Sequence, residues 1–176
     1  MSATASDLEN ALAIVGHAIV IGVGATAVMD LLAAFLWRCC RVASLDYALL
    51  GRWIGHFRRG RFRHESIGQA APVRYERVIG WTAHYTIGVM FAALLLAISG
   101  LEWLKQPTLA PPLIVSSATL VAPFFVMQPA MGAGVAASRT PRPNVARLRS
   151  VVTHTVYGVG LYASAWVWAV ARADAV

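Results

Sequence analysis

The sequence predicts an all-α, polytopic membrane protein: a four-transmembrane-helix bundle with an interfacial amphipathic helix in its first cytoplasmic loop. Three observations predict it. The 176-residue chain is 58% hydrophobic and only 13% charged, far from the balance of a soluble domain. Its apolar residues gather in four runs, each long enough to cross about 30 Å of hydrocarbon at about 1.5 Å per residue. Its basic residues crowd into two of the three intervening loops. The whole chain, 1–176, reads as one membrane domain.

The first run spans about 11–37. The polar, mildly acidic MSATASDLEN before it lacks the basic start of a cleavable signal, so this segment is expected to remain in the protein. The loop at 38–77 follows. Within it, SLDYALLGRWIGHF offers Ser44 as an N-cap and sets Leu45, Leu49, Trp53 and Phe57 on one stripe, the pattern of a helix lying on the inner leaflet. The next stretch, RRGRFRH, places Arg58, Arg59, Arg61 and Arg63 among anionic lipid headgroups, and His56 and His64 read as surface residues of this stretch with no special role. The second run spans about 78–99, and the short GLEWLKQPTLAP leads to the third, about 113–137. That segment carries Pro123 and Pro129, each removing a backbone hydrogen bond and kinking the helix. The fourth run spans about 151–171.

Orientation follows from the arginines. The first loop holds nine and the third loop four, together thirteen of the fifteen basic residues. Both loops are therefore expected in the cytoplasm and both termini in the periplasm. Trp37 and Trp81 would mark the inner boundary, and Trp103, Trp166 and Trp168 the outer. A net charge of +7 does not point to nucleic acid, because the charges sit between apolar runs rather than along one amphipathic face. Cys39 and Cys40 are adjacent, which disfavours a mutual disulfide, and there is no second pair.

Ionisable side chains inside the spans are the first place to look for function. They are Asp30, His17, His84 and His154. By helix rise, Asp30, His84 and His154 converge roughly 6 to 10 Å below the inner surface, and Gln128 and Met131 of the third run reach a similar level. Small residues line the same faces: Ala18, Gly22 and Thr26 above Asp30, Gly80, Gly88 and Ala92 about His84, Ser150 and Gly158 about His154, Gly132 and Ala136 after Gln128. These polar groups should point at one another. His17 lies in the outer half and reads as snorkelling or packing. HYTIGVMFAALL and HTVYGVGLYASA share H-x-x-x-G-V, which makes His84 and His154 pseudo-symmetric partners in a parallel repeat.

The Asp30, His84, His154, Gln128 and Met131 cluster admits three readings. As an accessory or structural protein, the chain would use the cluster to fix helix packing, since an unpaired intramembrane carboxylate is costly. As a small-solute or proton-coupled transporter, it would pass protons between Asp30 and the histidines; four helices enclose little space, so a homo-oligomer would be needed. As a haem or divalent-metal protein, it would ligate through His84 and His154, with Gly88 and Gly158 leaving room for a macrocycle. An enzyme is not indicated: Ser116, Ser117 and Thr119 lie roughly 15 Å from the histidines, and GVGATA lacks the lysine of a phosphate loop. Tyr85 and Tyr157 read as packing or interfacial residues.

The strings GVGATAVMD, LDYALLGRWIGH, GRFRH, GWTAHY, APFFVMQPAMGAGVAASRTP and LRSVVTH resemble the bacterial membrane-protein family called domain of unknown function 2938. The resemblance runs through nearly the whole chain. It implies a small polytopic protein of the bacterial inner membrane, and it carries no activity, cofactor or functional residue with it.

Overall fold

A computed structural model describes residues 5–42 and 45–173. Among these residues there is no β-strand. Five helices carry the architecture: α1 (Ala5–Cys40), α2 (Tyr47–His56), α3 (Glu76–Ser99), α4 (Ala110–Ala130) and α5 (Pro143–Ala173). Among the described residues α1, α3 and α4 are long and apolar enough to cross a membrane. The 31-residue α5 opens with the polar turns PNVARLRS.

The core of Ile21, Leu95, Leu96 and Leu161 is wholly buried, yet small residues share the interior with it and many large apolar side chains face outward. Ala18, Ala25, Ala92 and Ala165 are wholly buried, while Leu31 (71% exposed), Ile114 (68%), Ile98 (67%) and Met90 (63%) point outward. Where the surroundings are as apolar as the interior, nothing drives large side chains inward, and close approach of backbones decides the contact. Small residues make that approach. Gly22 of α1 faces Gly88, Val89 and Ala92 of α3, and Gly160 of α5 faces the backbone of Ala25, so α1 lies between α3 and α5. On the other side of α5, Gly158 faces Ser116 and Pro112 of α4.

The third apolar run ends earlier than its hydropathy suggests. It starts at Ala110, becomes a π-helix over Ala122–Met127 around Pro123, and stops at Ala130. Proline supplies no N–H, and the register widens until the Gln128 amide reaches the Pro123 carbonyl. The positive φ of Gly132 and Gly134 then turns the chain away. Gln128 and Met131 consequently sit at the end of α4, not two turns inside it as the 113–137 reading placed them.

Helix α2 also departs from the stripe expected of it. Ser44 lies outside the described residues, and the cap is Asp46, whose carboxylate accepts the Ala48 amide at 2.9 Å. The face that α2 buries is Ala48, Leu50, Gly51 and His56. It packs on the first turns of α3, where Gly51 meets the Glu76 carbonyl and Gly80 meets that of Tyr47. Arg52 locks the crossing with two hydrogen bonds to Glu76, each 2.8 Å. The segment from 57 to 72, called the strap below, then crosses to the end of α4, where the amides of His64 and Ile67 donate to the carbonyls of Ala130 (2.8 Å) and Met131 (3.0 Å).

Candidate functional site

Asp30 and His84 meet on the seam between α1 and α3. Every fourth residue of α1, from Ala18 through Gly22 and Thr26 to Asp30, lies on one face, and Gly80, His84, Gly88 and Ala92 answer from α3. Nε2 of His84 stands 3.1 Å from Oδ1 of Asp30, with the two side chains 12% and 18% exposed. The imidazole N–H is the donor, because the carboxylate can only accept. The second carboxylate oxygen, Oδ2, is buried without a hydrogen-bond partner.

A residue of the first loop that the sequence reading passed over completes this group. Tyr47, the first residue of α2, stacks on the His84 ring (centroids 4.1 Å apart, planes at 24°) and touches Trp81. Burial, and after it the Asp30 carboxylate, pushes the Tyr47 phenol well above its ordinary range, so the phenol stays protonated beside the acid. Tyr85 lies next to His84 and also interacts with Asp30. Nothing in the one-dimensional pattern marks Tyr47; only the glycine crossing of α2 on α3 brings it here.

The other members of the expected cluster lie on the seam between α4 and α5. Gln128 donates to the Ser150 hydroxyl at 3.2 Å, and the Nδ1 of His154 donates to the Ser150 carbonyl at 3.0 Å. Among the described residues no hydrogen bond joins this pair to Asp30 and His84, and Met131 contributes its main-chain carbonyl to the strap. The division has a physical reason, and it lies in the repeat. At the glycine of each H-x-x-x-G, the preceding span presents a hydroxyl: Thr26 to Gly88, and Ser116 to Gly158. One turn further on, α1 carries Asp30, whereas α4 carries Leu120. His84 therefore finds a carboxylate, and His154 turns to its own helix.

The same contacts bear on the room expected for a flat macrocycle. Thr26 occupies the space beside Gly88, Ser116 and Pro112 occupy that beside Gly158, and the Tyr157 hydroxyl donates to the Gly88 carbonyl at 2.5 Å. A haem between these glycines does not fit this packing. Among the described residues no three His, Cys, Asp or Glu side chains stand together as a metal site. His17 packs edge-on against Trp168, with centroids 5.6 Å apart.

His56 and His64 call for correction. Read from the sequence as surface residues, they are 2% and 9% exposed and bonded to each other, Nδ1 of His56 to Nε2 of His64, at 2.7 Å. The arginines around them, Arg58, Arg59, Arg61 and Arg63, are the exposed part of the stretch.

A family model described as "Protein of unknown function (DUF2938)" matches residues 19–168. No curated protein and no solved structure matches the chain.

Proposed function

The chain belongs to the DUF2938 family, whose description names no activity, and from that premise we propose that it is a four-span membrane protein that handles protons at the Asp30–His84 pair. In this reading α5 is the fourth span, the arginine-rich loops face the cytoplasm of a bacterial cell, both termini face outward, and α2 with the strap covers the inner ends of the spans. The exposed Arg58, Arg59, Arg61 and Arg63 then lie against anionic headgroups.

One observation carries the proposal. A carboxylate serving only to hold helices together would have both oxygens satisfied, because an unpaired buried acceptor costs about 1–3 kcal/mol. Asp30 bonds His84 through one oxygen, and its other oxygen is buried with no partner at hydrogen-bond distance, the Tyr47 and Tyr85 phenols standing close enough to act on the carboxylate. The unpartnered oxygen offers one place for a proton and the adjacent imidazole nitrogen a second, inside a span where ionisable groups are otherwise costly. The π-turn of α4 is a feature frequent at functional sites. A purely structural, accessory role is the second reading, favoured by the Tyr47 stack and the glycine seams.

The discriminating measurement is a pH titration by infrared difference spectroscopy on protein in lipid, followed by dye-reported proton flux in proteoliposomes. A protonated-carboxyl band that appears on acidification and disappears in Asp30→Asn, with flux above empty liposomes that the same variant abolishes, is expected. Flux no greater than in empty liposomes, with Asp30→Asn changing thermal stability alone, would leave the accessory reading standing and overturn this one.

A further inference from the structure

The buried His56–His64 pair is used by no part of the site above, and its hydrogen bonds fix its protonation. His56 Nε2 faces the Ala71 carbonyl at 3.0 Å, and a carbonyl only accepts, so Nε2 carries a hydrogen. In a neutral ring Nδ1 is then a lone pair, and it can receive a hydrogen only from Nε2 of His64, 2.7 Å away. The remaining nitrogen, Nδ1 of His64, is a lone pair as well, buried and without a partner. The chain of bonds, His64 to His56 to Ala71, exists only while both rings are neutral or share a single added proton. Two imidazolium rings would face N–H to N–H and repel.

The consequences lie in what the pair holds. His56 ends α2, and His64 is the residue whose amide docks the strap on Ala130. The bond is therefore a clasp between α2 and the end of α4. Gly132 closes the joint, since its Cα packs on the Glu65 and His64 carbonyls with no room for a side chain.

We propose that His56 and His64 form an acid-released latch, which holds the strap on the inner end of α4 at neutral pH and frees it when the pair becomes doubly protonated. The charges around it favour release. Arg61 of the strap acts on His64 electrostatically, and together with burial and His56 it keeps that ring below its ordinary pKa, burial being the largest cause. Segment 128–132, at the end of α4 and just past it, and segment 67–72 of the strap bring no titratable side chain. On α2 and α3 the nearest charges, Arg52 and Glu76, already neutralise each other. Glu65, next along the strap, is exposed. No carboxylate is shown bonded to either ring to stabilise a second charge.

The sign follows. A histidine whose folded pKa lies below its unfolded value contributes stability that is complete above the unfolded value, about 6.5, and is lost as pH falls toward the folded one. The open strap takes up the proton that the closed strap refuses.

Hydrogen–deuterium exchange of the full chain in lipid nanodiscs, between pH 8 and 5 and corrected for intrinsic exchange, reads the latch through the amides of His64 and Ile67. Below about pH 6.5 their protection should fall between about tenfold and a hundredfold per pH unit, the slope of one proton taken up on opening where the closed pair already shares one and of two where it is neutral, while peptides from the centre of α3 keep theirs. Protection unchanged to pH 5, or lost together with that of α3, overturns the proposal. In His64→Gln the amide N–H can still donate to His56 without titrating, so protection should no longer depend on pH. A wild-type transition persisting in that variant also overturns it. The readout does not involve Asp30, so the latch can fail while the proton-handling reading stands, and the reverse.

Discussion

Substituting Gly51 by alanine tests whether backbone contact seats α2. A Cβ at Gly51 would overlap the carbonyl oxygen and carbon of Glu76 and the amide of Gly80, all main-chain atoms. Side-chain obstacles can rotate aside; these cannot. The helices must separate, at an overpacking cost of about 1–3 kcal/mol. At about 2–4 °C per kcal/mol for a chain of this size, the melting temperature should drop by roughly 4–8 °C for a cost of about 2 kcal/mol. Gly16 supplies the control, because its Cβ would have nothing within 4 Å. There alanine improves helix propensity by up to about 1 kcal/mol and should leave the melting temperature unchanged or raised. Both variants can be measured by detergent-solubilised thermal unfolding followed through tryptophan fluorescence, with Trp53 on α2 and Trp81 beside Tyr47 as local reporters. Equal melting temperatures for Gly51→Ala and the wild type would refute the claim that main-chain contact sets this crossing.

Two further perturbations probe the same loop. Arg52→Ala removes both bonds to Glu76 and those to the carbonyls of Ile67, Gly68 and Ala70; exchange protection over 67–73 should fall about thirtyfold, for a loss of about 2 kcal/mol, and Arg52→Lys should restore only part of it because an ammonium lacks the planar fork. Cys39 and Cys40, both free and exposed at the end of α1, should react with a membrane-impermeant maleimide in inside-out vesicles and not in right-side-out ones, and the opposite pattern would reverse the proposed orientation.

Helix existence was legible because it rests on composition along the chain: the positions of α1 and α3 follow from apolar length alone. Where α4 ends was not, since the hydropathy of MGAGVAA continues past Ala130 and the termination is a backbone event at Gly132 and Gly134. The Asp30–His84 contact was legible for a similar reason to α1, as four-residue spacing on two helices fixes which faces can meet. Placing His154 in the same cluster failed because depth was matched without knowing which helix each face addresses. The repeat held the answer, in the leucine that stands at position 120 where α1 has its aspartate. His56 and His64 were misjudged because arginines on both sides made the stretch read as solvated. A turn at Gly60, with φ of 68°, folds the chain back so that His64 returns under α2 while the arginines stay out.

These two misread features are joined by one rigid element. Tyr47 and His56 are the first and last residues of α2, roughly 14 Å apart by helix rise. One end lies on the ring that bonds Asp30, and the other clasps the strap. A ten-residue helix seated by Gly51 on Gly80 cannot slide without lifting both ends, because its contact is between backbones. Small shifts at such a joint are resisted and larger ones are all-or-none, which is the property that lets a packed element carry a state from one site to another. Release of the strap removes the clasp at His56 but leaves the glycine seat and the Arg52–Glu76 pair. Loss of the latch alone should therefore leave Tyr47 stacked on His84, and only combined loss of the latch and the Arg52 bonds should uncover the Asp30–His84 pair from this side.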